Sequence, residues 1–240
     1  MINLKYIAAF CIVFLHGLSL FADDNRENKL LPPAQARLSG EVFTFNLHAD
    51  GSMYYFDAWA QGKVTLITGE VVEAENLRYN GYLDQLIWLN PANFQQIQVD
   101  KQMVKSFSME LPYLQEELYF ENITFKPWFE ANPMNIFAQI LYQGEIRLLA
   151  HRRVSRKGEE IENVGSALVA RAKLEPAPVF YILMPDGQAH AIRQINRRAI
   201  YRIFPEHANQ IRDALRRNNI RLRNEQDLIE AVKITEKLIF

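Results

Sequence analysis

Residues 62–89 read GKVTLITGEVVEAENLRYNGYLDQLIWL, and their apolar positions recur with the period of extended backbone. Val64 and Leu66 alternate with Thr65 and Ile67, the pattern of a strand with one mainly buried face. Thr68-Gly69-Glu70 predicts a tight turn, because glycine accepts positive φ without steric penalty. In the next strand Val72 and Ala74 hold even positions, whereas Leu77 and Tyr79 hold odd ones. One extra residue near Glu75-Asn76 would return both pairs to a common face, so a β-bulge is expected there. Asn80-Gly81 predicts a two-residue type I′ hairpin. Residues 83–89 then carry Leu83, Ile87 and Leu89 on one side and Leu86 and Trp88 on the other. A strand covered from both sides reads this way.

The flanks continue the pattern. Residues 40–47 predict a first strand with Val42 or Phe43 and Phe45 in the core, and residues 53–60 an aromatic one. Further strands are expected over 94–100, 103–109 and 119–125, and a hairpin over 135–142 and 145–151 around Gln143-Gly144. Residues 152–163 are densely charged and read as an exposed loop. Strands follow over 166–174, 179–184 and 189–195, with a Pro-Asp-Gly turn at 185–188. The period then changes. Pro205 suits a first helical position, and Ala208, Ile211 and Leu215 share one helical face. Asn218-Asn219 ends that helix, and Asn224 caps a second one with Asp227 three residues on. The fold expected is mainly β, of α+β type. It is a long antiparallel β-meander forming a sandwich or open barrel, closed by a C-terminal helical pair.

Composition adds a location. Lys5 precedes an apolar run over 6–22 that stops at Asp23-Asp24-Asn25-Arg26, the layout of a secretory signal peptide cleaved after Ala22. His16 interrupts the run, which is short for a span needing about 20 apolar residues. Cys11 is the only cysteine and lies in this leader, behind a Phe10 ill suited to lipoprotein attachment. The mature chain therefore carries no thiol chemistry, no disulfide and no cysteine-ligated zinc. The organisation expected is a leader at 1–22, a flexible lead-in at 23–39 and the meander at 40–151. Hairpins at 152–204 continue the sheet or form a second small one, and a basic helical pair occupies 205–240.

Charge divides the chain unevenly. Residues 23–145 hold 8 Lys/Arg against 17 Asp/Glu, whereas residues 146–240 hold 18 against 11. Either two complementary faces pack on each other, or the basic part meets a partner. Nucleic acid is disfavoured by export and by a net charge of −1.

The pattern GxVxLxxGExxxxxxLRYNxxxDxL at 62–86 resembles one found in uncharacterised exported proteins of Bacteroidetes. The basic stretch at 197–204 and the helices up to Glu225-Gln226-Asp227-Leu228 are similar too. The resemblance implies an envelope or secreted location and carries no functional residues.

Chemistry is sparse. Asp57 and Asp84, with Asp100, are the candidate acids for general acid or base work, which in sugar hydrolysis needs paired carboxylates. His48, His151, His190 and His207 show no metal-ligand spacing, and no GxSxG elbow, phosphate loop or dinucleotide fingerprint occurs. No metal or cofactor is expected. Tyr54, Trp59 and Tyr79 are the aromatic candidates for a ligand pocket, against ordinary core packing. The basic candidates are Arg212, Arg216, Arg217, Arg221 and Arg223, since arginine suits bidentate contacts with carboxylate or phosphate. The resulting expectation is an exported, periplasmic or secreted binding or scaffolding protein of the cell envelope, without catalytic activity. It would dock an acidic envelope protein or a phosphate-bearing lipid through its C-terminal helices, with no transmembrane span after cleavage. The alternatives are a hydrolase of an envelope polymer and a carrier of an apolar ligand.

Overall fold

The computed structural model describes residues 37–45, 47–111, 116–165 and 167–240. The expected leader, most of the lead-in and residues 112–115, ahead of the strand expected over 119–125, lie outside these residues. Fourteen strands and three α-helices are present among the described residues, and the protein is mainly β. No helix among them is long and apolar enough to cross a membrane.

The N-terminal half is one curled antiparallel sheet. Its strands are β1 (Gly40–Val42), β3 (Ala60–Leu66), β4 (Val71–Asn80), β5 (Gln85–Leu89), β6 (Gln96–Val99), β7 (Val104–Glu110) and β8 (Glu117–Pro127). They are ordered β1-β6-β5-β4-β3-β7-β8. Strand β6 is thus four places from β7, about 19 Å in a flat sheet. The link between them is only Asp100 and a 3-10 turn, Lys101–Met103. The sheet must therefore curl until β6 and β7 approach each other, as an open barrel does. Tyr79, Phe107, Phe120 and Phe137 fill its interior, with Phe107 and Phe120 stacked at 4.7 Å.

The C-terminal half closes fully. Strands β9 (Met134–Gln143), β10 (Arg147–His151), β13 (Val179–Leu183) and β14 (Gln188–Ile192) follow each other by antiparallel pairing. Strand β8 pairs with β9 on one side and, in parallel, with β14 on the other. Five strands thus form a ring. Each contributes to a single cluster of Phe125, Ile136, Ala138, Leu149, Tyr181 and Ala189. Residues of opposite parity, among them Leu148, Ala150, Phe180, Ile182 and Ile192, form a second core with the helices. Those helices are α1 (Arg197–Ile203), α2 (Ala208–Arg217) and α3 (Glu225–Ile239). Ile200, Ile211, Leu215, Leu228 and Val232 are their buried contribution. Near the end of α3 the Glu236 carboxylate accepts the Tyr142 hydroxyl and the backbone N–H groups of Glu145 and Ile146. It thereby ties the helix to the turn between β9 and β10.

Several local expectations hold. Leu77 pairs with Ala60 and Ala74 with Gly62, so Glu75 and Asn76 face Gln61 alone in the bulge anticipated from the phase change. Leu86 and Ile87 are both fully buried. The hairpin at Gln143-Gly144 and the caps at Asn219 (φ 55°) and Asn224 are present.

Others require correction. Asn80-Gly81 does not close a two-residue hairpin. The Asn80 Oδ1 accepts the N–H groups of Tyr82 and Leu83, and the positive φ falls on Asp84 (54°). Gly81 serves a close approach: a Cβ there would run into the Arg152 carbonyl, and its own carbonyl accepts the Val154 N–H at 2.9 Å. The expected first strand stops at Val42, which is exposed with Phe45, because β1 is itself the edge strand and pairs only with β6. The aromatic stretch at 53–59 is irregular apart from a Tyr54–Asn80 bridge. Phe94 is exposed at φ 55° in a turn.

The charged stretch expected to be a loop is a strand, β11 (Val154–Val164). It pairs with β12 (Ala167–Pro176), which also meets β2 (Ala49–Asp50) in a separate small sheet. Its distal residues are exposed on both faces, so no apolar alternation marks it, and cross-strand pairs such as Arg171–Glu162 (2.9 Å) replace a core. A third helix, α1, precedes the expected pair, with the Asn196 side chain accepting the Ala199 N–H at 3.0 Å.

Candidate anion-binding groove

Two segments, far apart in sequence, bring four arginines together. The first is the start of α1, where Arg197 and Arg198 follow the capping Asn196. The Asn196 Oδ1 is committed to the helix, which leaves its amide N–H groups as donors. The second is the link from α2 to α3. There Ile220 and Leu222 are buried, so Arg221 and Arg223 emerge on the solvent side. Leu222 holds φ 54°, uncommon for a residue with a branched side chain, and its burial is what holds it there. An Arg197 Nη2 bond to the Ile220 carbonyl (3.3 Å) joins the two segments. Asn196, Arg197, Arg198, Arg221 and Arg223 line a groove of ≈ 630 Å³ that opens to solvent.

What marks this groove is several unneutralised charges gathered on one lining. None of its four arginines forms an ion pair among the described residues. Asp227, the acid beside it in sequence, spends Oδ2 on the Arg223 backbone N–H at 2.9 Å. The Nε of Arg197 is buried without a partner. Such an arrangement can bind a compact anion through several charge-assisted hydrogen bonds.

The five arginines singled out from sequence separate here. Arg221 and Arg223 line the groove. Arg212 lies over the Tyr201 ring at 5.6 Å, and Arg216 and Arg217 are exposed in the last turn of α2, where cations complement the helix dipole. Arg197 and Arg198 were not among the candidates. The available signal was their position, a doublet directly after a capping Asn.

The candidate acids are also apart in kind. Asp57 is exposed and accepts the Ser52 hydroxyl. Asp84 is the centre of a half-buried cluster between the β4–β5 turn, the Lys101 turn and β9. It accepts Lys101 Nζ at 2.6 Å, the Tyr79 hydroxyl at 2.7 Å and the Phe137 N–H at 3.2 Å. His151 Nε2 lies 3.8 Å from it, buried and without a hydrogen bond. Burial lowers the His151 pKa. The Asp84 carboxylate opposes that shift, while Lys101 and Arg153 reinforce it. The Tyr79 hydroxyl is pushed well above its usual range by burial, then by Asp84. Beside this cluster Arg152 uses every nitrogen: Nε donates to Gln139 (2.6 Å), and Nη1 and Nη2 to Glu225 (2.6 and 2.7 Å).

Of the aromatic candidates, Tyr54 and Trp59 face the Arg78 guanidinium at 4.6 and 4.0 Å, two cation–π contacts from the irregular stretch to β4. Tyr79 is core. Among the described residues no three His, Cys, Asp or Glu side chains converge as metal ligands would.

Comparison of the chain with family models, with curated proteins and with solved structures finds no match.

Proposed function

We propose that this is an exported, non-catalytic binding or scaffolding protein of the cell envelope that docks an acidic partner through its basic C-terminal helices. The observation that carries the reading is the convergence of four arginines without carboxylate partners on one open groove. Elsewhere in the fold, arginines that fasten elements meet a carboxylate, as Arg152 does with Glu225 and Arg147 with Glu121 (2.6 Å), or aromatic rings, as Arg78 does. The leader-like start of the chain supports export. A hydrolase draws less support, because the Asp84 carboxylate is held by three donors and Asp57 sits apart at the surface.

Tagged residues 23–240 incubated with native envelope extract test the reading. The expected result is a reproducible partner retained at low salt, released at high salt and lost with Arg221→Glu/Arg223→Glu. Retention unchanged by that charge reversal, or no partner at either salt, would sink the proposal.

A further inference from the structure

We infer that the groove is a site for a compact phosphoryl ligand of three or more negative charges, a diphosphate or two closely spaced phosphomonoesters. The inference rests on the docking reading above and names the chemistry that the docking recognises. Three features point to phosphate rather than to the carboxylates of an acidic protein surface.

The first is charge density. Four guanidinium groups line one groove of ≈ 630 Å³, and no carboxylate of the described residues pairs with any of them. Aspartate and glutamate on a protein surface bring single charges on separate side chains. A diphosphate brings three or four charges and as many as six terminal oxygens within a few ångströms, enough for four planar forks at once.

The second feature is donor geometry. Every polar side chain of the lining can donate. The Asn196 carbonyl oxygen, the one side-chain acceptor there, is turned to the Ala199 N–H. A lining of donors alone suits a ligand that only accepts, as a fully ionised phosphoryl group does.

The third is fixed placement. Arg197 is held by the Ile220 carbonyl with its Nε buried and unpartnered, and Arg221 and Arg223 flank a buried Leu222. Part of the ordering that binding demands is therefore already made in the free protein.

Isothermal titration of the mature chain with inorganic pyrophosphate at low salt tests this, with sulfate as the single-centre dianion. The expected result is saturable 1:1 binding of pyrophosphate, with sulfate weaker by about tenfold or more. Arg198→Gln/Arg221→Gln, at two exposed positions, is expected to weaken pyrophosphate binding by about a hundredfold. Arg212→Gln/Arg216→Gln removes the same charge outside the groove and is expected to change it less than about threefold. Co-sedimentation with phosphatidylcholine vesicles containing phosphatidic acid, against phosphatidylglycerol at equal charge, separates the sources. Selective binding to phosphatidic acid identifies a headgroup, and pyrophosphate binding with no vesicle binding identifies a soluble ligand.

Absence of pyrophosphate binding overturns the inference, as does equal loss in the two double variants. A captured acidic protein that groove variants release but pyrophosphate does not displace overturns it too, while leaving the docking reading intact. Pyrophosphate binding without any captured partner does the reverse.

Discussion

Arg152 and the groove arginines use the same side chain in opposite ways. Arg152 is 7% exposed, bonded at all three nitrogens and stacked over Tyr55 at 5.0 Å. It joins the end of β10 to the start of α3, and so holds the helices to the sheet. Arg197, Arg198, Arg221 and Arg223 have no carboxylate among the described residues and border open solvent. A buried guanidinium without a full set of acceptors is costly, so the first site had to be completed by the fold itself. An exposed one, as Arg198, Arg221 and Arg223 are, is hydrated and can wait for a ligand at little cost. The difference separates a fastening from a recognition surface, although both are built from arginine.

The comparison can be broken most directly at Glu225. Glu225→Gln leaves the buried Arg152 without its counter-charge, and about 3 kcal/mol of stability is expected to go. Urea denaturation with unchanged m-value reads this. A loss below about 1 kcal/mol would mean that Arg152 does not fasten the helices. Tyr79→Phe, which removes one of three donors to Asp84, is expected to cost about 1 kcal/mol in the same assay, since Lys101 and the Phe137 N–H remain.

His151 gives a smaller, pH-dependent effect. Its folded pKa is lowered below the ordinary 6.5, first by burial, so the unfolded chain binds the proton more readily. Its contribution is complete above pH 6.5 and is lost as pH falls from there towards the lowered folded value. His190 is shifted the same way by burial, which the Asp186 charge opposes, and adds to the slope. His151→Gln is expected to flatten the decline between pH 7 and 5; an unchanged slope would exclude His151 as its source.

The smallest expected effect on stability comes from the groove. Arg198→Gln/Arg221→Gln should shift it by no more than about 0.5 kcal/mol, because no ion pair is lost. A loss of 2 kcal/mol or more would make these arginines structural and erase the contrast with Arg152.

Much of the local structure was legible because its causes are local. The phase change at Glu75-Asn76 gave the bulge, and Asn224 with Asp227 gave the start of α3, where Asn224 accepts the Asp227 N–H at 2.8 Å. The strand β11 was not legible, since an arm exposed on both faces buries nothing for its sequence to record. Nor was the role of Gly81, whose requirement is imposed by Arg152, 71 positions further on. Half of the groove was anticipated, Arg221 and Arg223, because the basic bias of the C-terminal end is a matter of composition.

The sequence alone determined the class of fold, most of the strands along the chain, the two last helices, and the excess of arginine at the C-terminal end. Periodicity, turn chemistry and composition act over a few residues, and their physics is complete within that range. Which strands close the ring was decided only in three dimensions, through the parallel pairing of Gln188 with Lys126 and Ala189 with Pro127. So was the division of the arginines. Whether a guanidinium is fastened or free depends on which carboxylates the fold brings within reach, and that is a property of distance in space and not along the chain.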